Sequence, residues 1–173
     1  SNRNPGRTKP DVEAELHRVL GITKVIWLPG IAGHDITDGH TDFYARFAGP
    51  GVVGAGREAD PTSFDYDVTR RHLDILHAAT DVHDRALQIE VIEGPSTVRE
   101  KFDDDDFAAG YINFYVCNGA VIAPEFGDPD ADGAARATLE RLFTGRQVVQ
   151  INIDAIAAGG GGIHCTTQQE PGH

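Results

Sequence analysis

The chain has 173 residues, of which 40% are hydrophobic and 24% charged; this is enough apolar material for one packed domain and excludes a disordered tail. Its formal charge of −12 opposes nucleic-acid binding and suits a small cationic ligand, although most of the acidic groups make a solvated surface. No apolar run reaches membrane-spanning length and no signal peptide opens the chain, so a cytoplasmic location without membrane contact is the expectation.

The first element is a helix over "KPDVEAELHRVLG". Pro10 suits its first turn, Val12, Leu16, Val19 and Leu20 form one apolar face, and Gly21 suits its end. "TKVIWLP" then reads as a buried strand over Val25–Leu28, stopped by Pro29 and Gly30. "FYARFA" and "VVGAG" form a hairpin about the tight "GPG". A helix follows near Phe64–Ala79, then the strand "LQIEVI". After "EGPSTVREKFDDDD" the order recurs. "YINFYVC" and "AVIAPEF" flank the hairpin signal Asn118-Gly119. Asp128 caps a helix with Pro129 in its first turn, and "RQVVQINI" is the last strand.

The middle of the chain is therefore ββαβ followed by ββαβ, with Gly51 and Gly119 in equivalent turns. The expected division is 1–28 as the tail of one unit, 43–93 as a second, 111–153 as a third, and 159–171 as a terminal loop. A repeat entered mid-unit suggests part of a closed ring. One α+β domain with coincidentally similar halves is the alternative.

Two loops carry the chemistry. "PGIAGHDITDGHTDFYARF" packs His34, Asp35, Asp38, His40 and Asp42 into nine residues. Turn-forming aspartates are one reading. A metal site is another, but the EF-hand spacing, H-E-x-x-H and paired cysteines are all missing. A third reading is catalytic: "GHTD" puts His40 and Asp42 two apart, on one face of a strand starting there. The second loop is "GGGGIHCTTQQEP". Its glycines permit left-handed backbone and close approach, and could aim amide groups at the Cys165 sulfur or at developing charge. A small buried cysteine behind a flexible turn is the plain alternative, and Cys117, inside a hairpin strand, keeps that reading. His164 should point away from Cys165 if the segment is extended. If corresponding loops of the ring converge on its axis, Cys165 and His40 meet although 125 residues separate them.

"WLPGIAGHDITDGHTDF", "YINFYVCNGAVIAPEFGDP" and "GGGGIHCTTQQEP", in this order, resemble the agmatine deiminase family, which is grouped with the Porphyromonas-type peptidylarginine deiminases. The resemblance runs from "NRNP" to "QQEP" and implies an α/β fold of ββαβ repeats: the five-fold pentein ring, or α/β propeller. About half of that ring, its C-terminal half, is represented.

It implies that Cys165 is the nucleophile, that His40 is the general acid and base, and that Asp42 grips a guanidinium. Asp38 and Gly161 join Asp42 as substrate-binding candidates, and no metal or cofactor is implied. The implied reaction releases ammonia from agmatine, arginine or peptidyl-arginine through a covalent adduct on Cys165. The chain departs from the family in having no "R-D-x-G-P" segment. Ile36 stands where plant-type members carry an acid, and Phe43 where Asn is common. The alternatives are an amidinotransferase of the same fold and a silent fragment that binds or assembles. Half a ring exposes apolar ends, so the chain is expected to dimerise, aggregate or need an N-terminal half.

Overall fold

The computed structural model describes residues 4–34, 37–102 and 107–170. Asp35 and Ile36 of the aspartate–histidine loop, residues 103–106 of the acidic run and the final three residues lie outside the described residues.

Helix α1 (Lys9–Leu20) starts with a capping box. The Thr8 hydroxyl accepts the Asp11 N–H, and the Asp11 carboxylate accepts the Thr8 N–H at 2.8 Å. Gly21, at φ 65°, ends it in the left-handed region. The apolar face expected of α1 has formed, but it is not covered. No residue of α1 is buried, and Val19 and Leu20 are 59% and 62% exposed.

The strand expected over Val25–Leu28 is also absent, because no described strand lies beside it to share a ladder. Its apolar residues act all the same: Ile26 and Leu28 pack on the core formed by Ala45, Val53, Ala55, Leu73, Leu76 and Leu87.

Two three-stranded sheets follow. In the first, β1 (Ala45–Gly49) pairs antiparallel with β2 (Val52–Arg57), α3 (Tyr66–Ala78) crosses over, and β3 (Gln88–Glu93) pairs parallel with β2. In the second, β4 (Tyr115–Cys117), β5 (Ala120–Glu125), α4 (Pro129–Leu142) and β6 (Gln147–Asn152) repeat that order and those directions. The two hairpins share a detail of register. Gly51 and Gly119 have φ of 74° and 79°, and each carbonyl accepts the N–H of the third strand's first residue, Gln88 or Gln147, at 2.9 Å.

Two expectations need correction. The chain does not enter β1 as a strand from His40. A one-turn helix, α2 (Thr41–Tyr44), comes first, which turns Tyr44 into the core, where its hydroxyl donates to Asp65 at 2.9 Å. Nor is "YINF" strand: Tyr111–Phe114 form a turn before β4, with all four side chains buried at 2% exposure or less. Burial rather than pairing explains the apolar character of Tyr111, Ile112 and Phe114.

The larger core gathers Phe114, Phe126, Leu139, Val121 and Val148 with Ile92 from the first sheet. Helix α4 lies against both β6 and β3, which fastens the two units together. Asp128 caps α4 through the Ala131 N–H at 3.1 Å and also accepts from the Ser96 hydroxyl at 2.7 Å, tying the connector between units to the second sheet. Beyond β6, the short helix α5 (Asp154–Ala157) leads into the glycine loop, which is followed by a 3-10 turn over His164–Thr166. Among the described residues, no helix is long and apolar enough to cross a membrane.

Candidate active site

The glycine loop is held at both ends. Ala157 and Ile163 are buried at 0% and 5% exposure, and Asp154, at the start of α5, receives the Arg99 guanidinium at 2.8 Å. Between these anchors two glycines are required, for different reasons. Gly160 adopts φ 74°, which a side chain resists. At Gly162 a Cβ would lie 2.3 Å from Asn113 Oδ1, so its missing side chain is the space that Asn113 fills. Gly161 is under neither constraint; an added Cβ would meet Cys165 Cβ at 4.0 Å, ordinary contact.

Ile163 has helical backbone, φ −62° and ψ −47°, so His164 and Cys165 sit in a tight turn and not in an extended segment. The expectation that His164 points away from Cys165 fails for that reason. Both side chains reach Asp42. His164 Nδ1 lies 2.6 Å from Asp42 Oδ2, and Cys165 Sγ donates to the same oxygen at 3.5 Å. Opposite a carboxylate, Nδ1 carries the proton.

Asn113 completes the cluster. Its Nδ2 donates to Asp42 Oδ2 at 3.0 Å and to Cys165 Sγ at 3.3 Å. Its Oδ1 accepts the backbone N–H of His164 at 2.8 Å and of Cys165 at 3.4 Å. Burial alone would raise the Asp42 carboxyl, but the hydrogen bonds from His164, Cys165 and Asn113 outweigh it and hold the group below the usual carboxylate range. Arg46 lies within reach of this charge. Its guanidinium stacks 4.4 Å over the Phe114 ring and donates to the Phe114 carbonyl. Burial lowers the Arg46 pKa, and the Asp42 carboxylate partly opposes that.

Of the residues expected from sequence, Asp42 and Cys165 are brought together across 123 positions, with Gly161 beside Cys165. His40 is the N-cap of α2, two residues before Asp42, and its backbone N–H donates to the Thr37 hydroxyl at 3.1 Å. Asp38, at φ 57°, turns its carboxylate back on its own loop and accepts the Gly33 N–H at 3.0 Å. Asn113 and His164 were missed. The available signal for Asn113 was a carboxamide inside the apolar run "YINFYV".

A cleft of about 860 Å³ runs beside the site. Phe43, Tyr44, Gly159 and Gly160 help line it, but the side chains of the cluster do not. Hydrogen bonds, not the cleft, gather the candidate groups. Among the described residues no group of three or more His, Cys, Asp or Glu side chains could hold a metal ion.

Two ββαβ units of one strand order, with a cysteine loop after the last strand meeting a carboxylate ahead of the first, define about half of a pentein ring. The chain belongs to the Porphyromonas-type peptidyl-arginine deiminase family, whose pattern residues 1–171 match. It is 45% identical over 176 residues to a Streptomyces coelicolor protein provisionally assigned as an agmatine deiminase, covering 99% of this chain and 51% of that one. Against the agmatine deiminase of Medicago truncatula it is 38% identical over 188 residues, with 98% and 50% covered. The solved agmatine deiminase of Enterococcus faecalis superposes with a TM-score of 0.87 at 32% identity, over 98% of this chain and 50% of that one. The chain thus spans about half the length of the relatives it matches.

Proposed function

We propose that this protein is a guanidine deiminase and that this chain supplies its nucleophile. The observation that carries the reading is the hydrogen-bonded contact of Cys165 with Asp42, two groups 123 residues apart with complementary uses toward a guanidinium. A guanidinium is a resonance-stabilised cation that resists attack by water. Asp42, held ionised, binds it through charge-assisted hydrogen bonds and fixes its plane.

Cys165 passes its thiol proton to His40 as Sγ forms a bond to the central carbon; His40 gives that proton to the departing nitrogen, the C–N bond breaks and ammonia leaves. The thiouronium that remains is attacked by water as His40 takes its proton; the C–S bond then breaks, releasing a ureido product and the free thiol. Agmatine is the substrate of first choice, since the similar proteins are named for it, and the product is then N-carbamoylputrescine. Arginine and peptidyl-arginine are the other members of the test panel.

The uncovered apolar residues support a further part of the reading. Val19, Leu20 and Phe47 in the first half of the chain, and Ile151 and Ile156 in the second, are surfaces that the rest of a pentein ring would cover. A partner half, supplied as an N-terminal segment or by assembly, completes the substrate site.

The test mixes agmatine with the chain, alone and together with the N-terminal half of the Streptomyces coelicolor relative, and follows ammonia and protein mass. Release that Cys165→Ala abolishes and Cys117→Ala preserves supports the reading. Equal release from Cys165→Ala, or none from the completed protein on any guanidine, overturns it.

A further inference from the structure

We propose that Asn113 is the positioning residue of this site: its buried carboxamide sets the spacing between the Asp42 carboxylate and the Cys165 sulfur and holds the turn that presents the sulfur. The inference rests on reading Cys165 as the nucleophile.

Asn113 has 0% exposure, so each of its polar atoms needs a partner. Those partners lie on both loops of the site. Nδ2 bonds the Asp42 carboxylate at 3.0 Å, the Asp42 carbonyl at 3.4 Å and the sulfur at 3.3 Å. Oδ1 bonds the N–H groups of His164 and Cys165 at 2.8 and 3.4 Å.

The orientation of the amide follows from these contacts. Reversed, it would set an NH2 group against two N–H donors and a carbonyl against a carboxylate. Only a neutral side chain with a donor and an acceptor at this spacing fits. Aspartate, the same in shape, would place a second carboxylate beside Asp42 and remove the N–H from sulfur. Glutamine, longer by one carbon, has no room, because the carboxamide already fills the space left by Gly162. The fold provides for Asn113 before any substrate arrives: its own backbone carbonyl also accepts the His164 N–H, at 3.2 Å.

The test reads the chain's own chemistry and needs no turnover. The purified chain is alkylated with iodoacetamide across a pH series, and Cys165 and Cys117 are quantified separately by peptide mass spectrometry. Asn113→Asp should slow Cys165 about tenfold or more near neutral pH and move its profile to higher pH, leaving Cys117 unchanged; a hydrogen bond to a charged group is worth that factor. Adding Asp42→Asn, which exchanges donor and acceptor across the contact, should recover most of the loss. A general packing defect would be worsened by the second change.

If Asn113→Asp fails to give a cooperative melt, Asn113→Ser replaces it, and slowing confined to Cys165 is again the expected result. Unchanged Cys165 alkylation in a folded variant, or a double variant no faster than Asn113→Asp, overturns the proposal. Ammonia release is measured in parallel. If no guanidine is turned over while the alkylation results hold, the clamp stands and the deiminase reading falls.

Discussion

Three adjacent glycines should respond very differently to the same added methyl group. At Gly162 the new Cβ would lie 2.3 Å from Asn113 Oδ1, 2.6 Å from its Cγ and 2.9 Å from its Cβ. These atoms cannot swing away, because the carboxamide is buried and bonded to both loops. Overpacking of this kind costs roughly 1–3 kcal/mol, and each buried polar group left unpaired adds roughly 1–3 kcal/mol. We take about 3 kcal/mol for Gly162→Ala; at roughly 2–4 °C per kcal/mol for a chain of this length, Tm falls by about 10 °C. Gly160→Ala must hold a side chain at φ 74°, a strain of roughly 1–2 kcal/mol partly offset by a less flexible unfolded chain. A fall of about 3 °C follows. Gly161→Ala meets nothing nearer than 3.8 Å and has no left-handed backbone to oppose it, so Tm stays within about 2 °C of the parent. The assay is a thermal melt with each variant side by side, together with iodoacetamide labelling of Cys165. Labelling should change for Gly162→Ala, where Asn113 is displaced. A Gly162→Ala protein that melts with the parent, or a Gly161→Ala protein that loses as much, would refute the argument that Asn113 defines the shape of this loop.

Further outcomes follow from the same geometry. Asp42→Asn should weaken guanidine binding as well as turnover in the completed enzyme, read as a rise in KM with a fall in kcat, because the cation loses its charged partner. His72 is buried with Nε2 2.7 Å from the Pro29 carbonyl and Nδ1 without a partner among the described residues, and its pKa is lowered, chiefly by burial. Its unfolded form therefore binds protons first. The stability it contributes is complete above its ordinary value of 6.5 and is lost as pH falls below that toward the folded value; His72→Gln should flatten the loss seen by denaturant titration between pH 7 and pH 5. Asp128, pulled down to about 2 by the Ser96 hydroxyl and then by the Ala131 N–H, acts in the same direction over a more acidic range. Its contribution is whole above the ordinary 3.8 and disappears as pH falls toward 2, and Asp128→Ala should cost about 2 kcal/mol at neutral pH by urea unfolding.

The parts of the fold that were legible in sequence are those whose cause is local. Pro10 and Gly21 bound α1, Asp128-Pro129 opens α4, and the positive-φ glycines at 51 and 119 mark the two hairpin turns, all through interactions within a few residues. The parts misread have distant causes. Val25–Leu28 has the composition of a strand, but a ladder needs a neighbour and none is described. Tyr111, Ile112 and Phe114 are apolar because of what surrounds them, and composition alone does not separate a buried turn from a buried strand.

The site divides in the same way. Sequence alone singled out its candidate groups: a thiol after a run of glycines, and a histidine and carboxylate in a loop crowded with acids, in an order matching one family. Tertiary structure decided that the thiol and the carboxylate meet. Whether His164 turns toward Asp42 depends on the helical backbone at Ile163, and the need for Gly162 depends on Asn113, 49 positions earlier in the chain. The partners of a buried amide are chosen by which segments the core presses together, and that is a property of packing between units, which no local pattern of residues encodes.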